Sequence, residues 1–229
     1  MTEIIVTLES DSLSKLQDEI MALRNERNNF DIIEFRGDYY KDLNTIIRAI
    51  SMIRDSIDKP LLYTYRTIKE GGKGEETLEA YLIHLATIQK SIPIEYIDVE
   101  VSEQSDPGII DQLKRYSKVI MSHHNFQKTP SDEEMHDIMN QMNAAHGDFF
   151  KVAYMPESAE DVERVKTLLK NSKEKYGGIV TAISMGSLGE ETRTSTELPS
   201  KFTYGTLAVP QAPGQMRINA LRKIYGGTE

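Results

Sequence analysis

Eight short apolar segments recur along the chain, and stretches with helical periodicity separate them. The segments span residues 4–8, 31–36, 61–66, 94–100, 119–124, 149–153, 179–185 and 202–208. Most are rich in Ile, Val, Tyr and Phe, as buried strands are. Regular alternation of strand and helix predicts an α/β protein with a parallel sheet. Eight strands in 229 residues favour closure into a (β/α)8 TIM barrel, a single domain over residues 1–229.

Helix boundaries are marked by residues with specific backbone preferences. Asp106-Pro107 and Thr129-Pro130 each combine an N-cap residue with a proline suited to the first helical turn. Gly147 stands where a helix must stop before the sixth strand, so we expect it to take the left-handed conformation. These signals agree with the count of strands.

Charge and cysteine content narrow the range of functions. The formal net charge is −9, which disfavours nucleic acid or an anionic membrane as a partner, because both require clustered Lys and Arg. The chain has no Cys, which excludes disulfides, thiolate metal sites and thiol nucleophiles. The first residues lack a basic stretch followed by an apolar one, and no apolar run reaches membrane-spanning length. A cytoplasmic location is therefore expected.

Ionisable residues gather at the ends of the second, third and fifth segments. In a barrel these ends face the active-site mouth. Glu34 and Arg36 alternate onto one face, where they either form a structural ion pair or bind a charged ligand. Arg66 ends the third segment, and Glu70 follows it over the mouth. His123 and His124 must face opposite sides of their strand, so only one of them can act in the interior.

Lys151 interrupts the apolar sixth segment. Desolvation there should lower its pKa and leave a neutral amine, which is a nucleophile towards carbonyl groups. A metal site is less favoured, because too few His and carboxylate ligands cluster in the sequence. The glycines near Arg193 and in the last loop are compatible with a phosphate, while Arg193 itself suits a carboxylate. The loop-rich stretch 186–215 is a candidate lid.

Six ordered blocks carry a resemblance to a known family. They are E-x-R-x-D at 34–38, R-x-x-x-E-G-G at 66–72, S-x-H-N-F-x-x-T-P at 122–130, K-V-A-x-M-P at 151–156, S-M-G-x-x-G-x-x-x-R at 184–193 and A-P-G-Q at 212–215. Together they resemble type I 3-dehydroquinate dehydratase over nearly the whole chain. The resemblance implies a homodimeric barrel of the shikimate pathway, needing no metal or dissociable cofactor, that converts 3-dehydroquinate to 3-dehydroshikimate and water.

The resemblance also implies a role for each matching residue. Lys151 matches the Schiff-base lysine, His124 the general acid and base, and Glu70 its carboxylate partner. The substrate-binding set that it implies is Glu34, Arg36, Arg66, Arg193 and Gln215, with Gln211 and Thr7 as further candidates. Gly37, Asn125 and Gln211 depart from the residues usual in the family, and the last departure affects a substrate contact.

Two other functions remain open from the residues alone. A Schiff-base aldolase acting on a small keto acid or sugar phosphate would share the inward lysine. Its phosphate loops should carry more backbone amides than these loops offer. A non-catalytic binding barrel would not require the lysine, histidine, glutamate and arginine together.

Overall fold

The computed structural model describes residues 2–74, 77–101, 106–208, 210 and 212–226. Within these ranges it contains nine strands, and the first eight match the predicted segments to within two residues at each end. The strands are β1 Glu3–Thr7, β2 Ile32–Arg36, β3 Leu61–Thr64, β4 Tyr96–Glu100, β5 Lys118–Asn125, β6 Phe149–Tyr154, β7 Val180–Ser184, β8 Phe202–Thr206 and β9 Met216–Arg217. The two-residue β9, which pairs with the end of β8, was not predicted.

Eight helices follow the strands in the described part of the chain. They are α1 Leu13–Asn25, α2 Leu43–Arg54, α3 Leu78–Ser91, α4 Pro107–Leu113, α5 Asp132–Ala144, α6 Ala159–Tyr176, α7 Glu191–Thr194 and α8 Ile218–Tyr225. Short 3-10 turns at Gly37–Tyr39 and Ile68–Glu70 follow β2 and β3. None of these helices is both long enough and apolar enough to cross a membrane.

All strand pairs are parallel, in the order β7-β6-β5-β4-β3-β2-β1-β8-β9. The sheet curls until β7 meets β8, where individual hydrogen bonds replace a regular ladder. Lys201 N donates to Val180 O at 2.8 Å, and Phe202 N donates to Thr181 Oγ1 at 3.0 Å. The predicted (β/α)8 architecture is confirmed, with this irregular seam as its one departure from uniform pairing in the described ranges.

The barrel interior changes from apolar to polar along six strands. On β1 to β6 an apolar residue fills the lower interior, and a polar residue follows two positions later on the same face. The pairs are Ile5 and Thr7, Ile32 and Glu34, Leu62 and Thr64, Tyr96 and Asp98, Ile120 and Ser122, and Phe149 and Lys151. The apolar layer closes the barrel floor, so the polar groups above it collect at the carboxyl ends of the strands.

Two predicted helix boundaries are wrong in detail, while Asp106 caps α4 as predicted. Helix α5 is capped by Ser131, which forms a capping box with Glu134, and not by Thr129. The left-handed residue after α5 is His146, with φ of 64°. Gly147 is required for packing instead, because a Cβ there would lie 2.4 Å from Met121 Cγ.

Candidate active site

Lys151 lies in the barrel interior with only 6% of its surface exposed. Its neighbours Phe150 and Val152 point the other way, into the core beneath the helices. The Lys151 Nζ is 4.0 Å from Asp98 Oδ2 and 3.9 Å from the centroid of the Tyr204 ring. Burial lowers the pKa of Lys151 despite the opposing charges of Glu34 and Asp98. A larger fraction of the Lys151 amine is therefore neutral than would be neutral in water, as predicted.

His124 and Glu70 form a hydrogen-bonded pair across the cavity from two different strand ends. Glu70 ends the 3-10 turn after β3, and Gly71 follows it with φ of 84°, where a Cβ would collide with the Phe126 ring. Glu70 Oε2 lies 3.0 Å from both the backbone N and Nδ1 of His124. With Nδ1–H donating to Glu70, Nε2 is left as the acceptor nitrogen.

Opposing effects act on the protonation states of Glu70 and His124. Three donors converge on Glu70 Oε2, since Arg66 also donates to it at 3.2 Å, and this favours the carboxylate. Burial nevertheless raises the pKa of Glu70 to about 8, because desolvation and the charges of Glu100 and Asp98 outweigh Arg66. Burial also holds the pKa of His124 well below its usual value, and Arg66 and Lys151 add to this. The imidazole is thus neutral at neutral pH and able to accept a proton.

Arg66 is the centre of a buried network rather than a free ligand for substrate. Its guanidinium donates to Glu100 Oε1 at 3.0 Å and to Asp98 Oδ1 at 2.9 Å, in addition to Glu70. Ser122 Oγ receives a further bond from it and donates to Asp98. Asp98 and Glu100 were missed from the sequence. They alternate at the end of the fourth segment, so the strand-end rule used for the other strands would have found them.

Glu34 lies at the base of the cavity with both oxygens engaged. Thr7 donates to Oε2 at 2.7 Å and Thr64 donates to Oε1 at 2.8 Å. Gln215 Nε2 donates to Thr7 Oγ1 at 3.3 Å, which links the last loop to the first strand. Arg36 does not pair with Glu34. Nearby, Arg36 makes a two-pronged contact with Asp38, both bonds at 2.8 Å.

Arg193 is the least compensated cation of the site. It is 3% exposed, and among the residues described no carboxylate lies within ion-pair distance of it. Its Nη2 donates to Pro213 O at 3.2 Å, and its Nε has no hydrogen-bond partner in the described ranges. Burial alone lowers the pKa of Arg193 to about 10. A buried guanidinium in this state is suited to an anionic ligand.

One cavity brings the predicted residues together. Its wall contains Thr7, Glu34, Arg36, Arg66, Glu70, His124, Lys151, Arg193 and Gln215, together with the unpredicted Tyr39, Thr64, Met185 and Tyr204. Gln211 lies outside the described residues. His123 faces the helices, where its ring contacts Tyr154 edge-on at 5.7 Å.

The stretch 186–215 and the possible metal ligands were the two other features considered from the sequence. The stretch 186–215 contains α7 and β8, and its ends are joined where Gly186 N donates to Pro213 O. Its role as a lid stays a prediction. In the described ranges no group of three or more His, Asp or Glu is arranged to hold a metal ion.

The protein has the features of a barrel enzyme. Its closed parallel barrel holds a buried lysine, a histidine–carboxylate pair and an uncompensated arginine around one cavity. The chain matches the family model of type I 3-dehydroquinase over residues 4–228. It belongs to that family.

Relatives and solved structures support the same placement. The chain is 33% identical over 235 residues to a 3-dehydroquinate dehydratase of Escherichia coli, covering 97% of this chain and 91% of that protein. It is 34% identical over 210 residues to one of Staphylococcus haemolyticus, covering 88% and 87%. A type I 3-dehydroquinate dehydratase from Clostridium difficile, solved with covalently modified comenic acid, has a TM-score of 0.86 at 27% identity, covering 98% and 91%. The enzyme from Geobacillus kaustophilus shares the fold, with a TM-score of 0.89 at 23% identity, covering 99% and 90%.

Proposed function

We propose that this protein dehydrates 3-dehydroquinate to 3-dehydroshikimate and water through a Schiff base on Lys151. One observation carries the proposal: a buried amine and a buried, uncompensated Arg193 line the same cavity. An amine of lowered pKa suits a ketone, and an unpaired guanidinium suits a carboxylate. 3-Dehydroquinate has both groups. The aldolase alternative gains no support, because the family and the relatives named above are dehydratases.

The reaction begins with the neutral amine of Lys151. Its lone pair adds to the ketone carbon to form a C–N bond, and a proton passes from the nitrogen to the former carbonyl oxygen. A second proton, taken up from solvent, lets that hydroxyl leave as water and leaves an iminium, which is an electron sink for the neighbouring carbon. At the end, water adds to the product iminium and releases the conjugated ketone and the free amine.

His124 supplies both proton transfers between these events. Its Nε2 removes a proton from the carbon next to the iminium, which gives an enamine. The enamine then expels the hydroxyl on the following carbon, and the imidazolium donates its proton so that water leaves. Glu70, bonded to Nδ1 at 3.0 Å, orients the ring and stabilises the imidazolium.

The remaining residues of the cavity bind and orient the substrate. We assign the carboxylate to Arg193, with Gln215 bonding a hydroxyl beside it. Glu34, Arg36 and Arg66 form the polar floor, and Thr7 acts there through its bond to Glu34. Gln211 stays a candidate contact on the basis of the resemblance alone.

Three broader proposals accompany the reaction. We place the enzyme in the cytoplasm on the basis of its cysteine-free composition. We propose a homodimer on the strength of the family resemblance. We also propose that one barrel domain accounts for residues 1–229, since the family match covers 4–228.

The test is turnover of 3-dehydroquinate, followed by the rise in ultraviolet absorbance of the conjugated enone. Borohydride added during turnover should reduce the iminium and leave product-sized mass on Lys151, located by mass spectrometry. Lys69 and Lys128 serve as internal controls, because neither lines the cavity. Folded protein that produces no enone, or an adduct on another lysine, would refute the proposal.

A further inference from the structure

Tyr204 presents the face of its ring to the reacting nitrogen of Lys151. The residue lies on β8 with 5% of its surface exposed, and Lys151 Nζ is 3.9 Å from its ring centroid. The ring belongs to the apolar layer inside the barrel, so its orientation is set by packing. Both groups are out of bulk water, where an aromatic face attracts a cation most strongly.

We propose that Tyr204 is a catalytic residue. The face of its ring stabilises the positive charge of the iminium that Lys151 forms with the substrate. This inference rests on the proposed function. When the amine adds to the ketone and water is lost, the nitrogen, which is buried away from bulk water, gains a lasting positive charge. The negative face of the ring attracts that charge. The ring neither accepts a proton from the iminium nor forms a hydrogen bond with the neutral amine.

The other charged groups around Lys151 act on its pKa in opposite directions. Glu34 on β2 and Asp98 on β4 raise the pKa of Lys151, while Arg66 and Arg36 lower it. His124 on β5 also lines the cavity, and it is neutral at neutral pH. Asp98 Oδ1 is bonded to Arg66 and Ser122, while its Oδ2, 4.0 Å from Lys151 Nζ, has no hydrogen-bond partner among the described residues. The Tyr204 ring, in contact with Lys151 Nζ, adds an uncharged source of cation stabilisation to these carboxylates.

The tyrosine hydroxyl is separable from this role. It is buried and has no hydrogen-bond partner among the described residues, so it does not hold the ring in place. Tyr204→Phe removes the hydroxyl and keeps the ring, whereas Tyr204→Leu and Tyr204→Met remove the ring and keep an apolar side chain. Tyr154 provides matched controls, because it is also buried with an unpartnered hydroxyl in the described ranges but packs outside the barrel.

The first measurement needs no substrate. The pH dependence of Lys151 acetylation by acetic anhydride, located by mass spectrometry, reports its pKa. Loss of the ring in Tyr204→Leu or Tyr204→Met should lower that pKa by about one unit, because the ring favours the ammonium. Tyr204→Phe should leave it unchanged, as should Tyr154→Phe and Tyr154→Leu. An unchanged or raised pKa in both ring-less variants would overturn the inference.

The second measurement follows iminium formation in single turnovers with borohydride trapping, at a pH above the Lys151 pKa that acetylation gives for every variant, so that the amine starts neutral in all of them. The ring-less variants should trap about 10- to 30-fold more slowly, and Tyr204→Phe should stay close to wild type. Phenylalanines bearing one, two and three fluorine atoms at position 204 keep the ring's size while weakening its negative face. The rate should fall stepwise along this series, and a flat series would overturn the inference.

The two proposals fail in different ways. If the wild-type protein yields no adduct on Lys151, the proposed function is wrong. If the wild type traps normally and the fluorinated series is flat, the proposed function stands and only the role of Tyr204 is refuted.

Discussion

Replacing Arg193 with methionine should make the free protein more stable and lower its affinity for substrate. The side chain of Arg193 is buried, its Nε lacks a partner in the described ranges, and only Pro213 O is bonded to its guanidinium there. Methionine keeps much of the length and apolar contact of the stem but carries no charge. One change therefore separates the cost of holding the cation from its benefit in binding.

The magnitudes follow from the surroundings of Arg193. Burial lowers its pKa to about 10, a drop that corresponds to a cost of about 3 kcal/mol for keeping the charge in the free protein. Losing the bond to Pro213 O costs about 1 kcal/mol, which leaves a net gain of about 2 kcal/mol. A charge-assisted bond to a carboxylate contributes about 1.5–3 kcal/mol, so KM should rise about 10- to 100-fold.

Thermal unfolding without substrate and steady-state kinetics measure the two effects on the same preparation. For a chain of this size, Tm should rise by about 4–8 °C. Arg193→Lys is the matched control: it keeps a charge, so it should regain part of the affinity and less of the stability. An unchanged KM would show that another residue holds the carboxylate, with Arg36 the next candidate, since Arg66 is bonded to Asp98 and Glu100. A clear loss of stability in Arg193→Met would refute the reasoning about the cation.

Three further predictions concern the two histidines and one helix cap. His124→Ala should lower kcat by about two to four orders of magnitude while borohydride still traps an adduct, whereas His123→Ala should mainly lower stability; the reverse pattern in single turnovers would exchange their roles. Burial lowers the pKa of His123 to about 4, so its protonation favours the unfolded chain. The contribution of neutral His123 to the free energy of unfolding should be fully present above pH 6.5. It should fall by up to about 3 kcal/mol as the pH drops towards 4. His123→Phe should remove that component in urea titrations across this range, and an identical pH dependence would contradict it. Ser131→Ala breaks the capping box with Glu134 and should cost about 1 kcal/mol of unfolding free energy by urea titration, while Thr129→Ala should leave α5 capped.

The strands and the chemical type of the site could be predicted because both depend on local patterns. Alternation with a period of two is a property of a few consecutive residues, and burial of one face makes it visible in the sequence. Lys151 stands out for the same reason, since a charged residue within an apolar strand is costly unless it is used. The separation of His123 from His124 also needed only the alternation of a strand.

Which residues become partners was decided only by the tertiary structure. Arg36 pairs with Asp38 instead of Glu34, and Arg66 gathers Asp98 and Glu100 from a neighbouring strand. The choice made by Arg66 depends on the stagger between strands, which no single segment encodes, whereas Arg36 finds its partner in the turn that directly follows β2. Packing likewise decided that Gly147 is needed for close contact with Met121 rather than for its backbone freedom.

The contact between Lys151 and Tyr204 shows the same division between local and distant information. By itself, the sequence determined that each residue lies on a buried strand, because Lys151 falls within the apolar segment 149–153 and Tyr204 within 202–208. Only closure of the barrel decided that β8 turns its ring towards the amine on β6. The physical reason is that burial is largely a property of the residue and its neighbours in sequence, whereas a partner is chosen by the geometry with which distant strands meet.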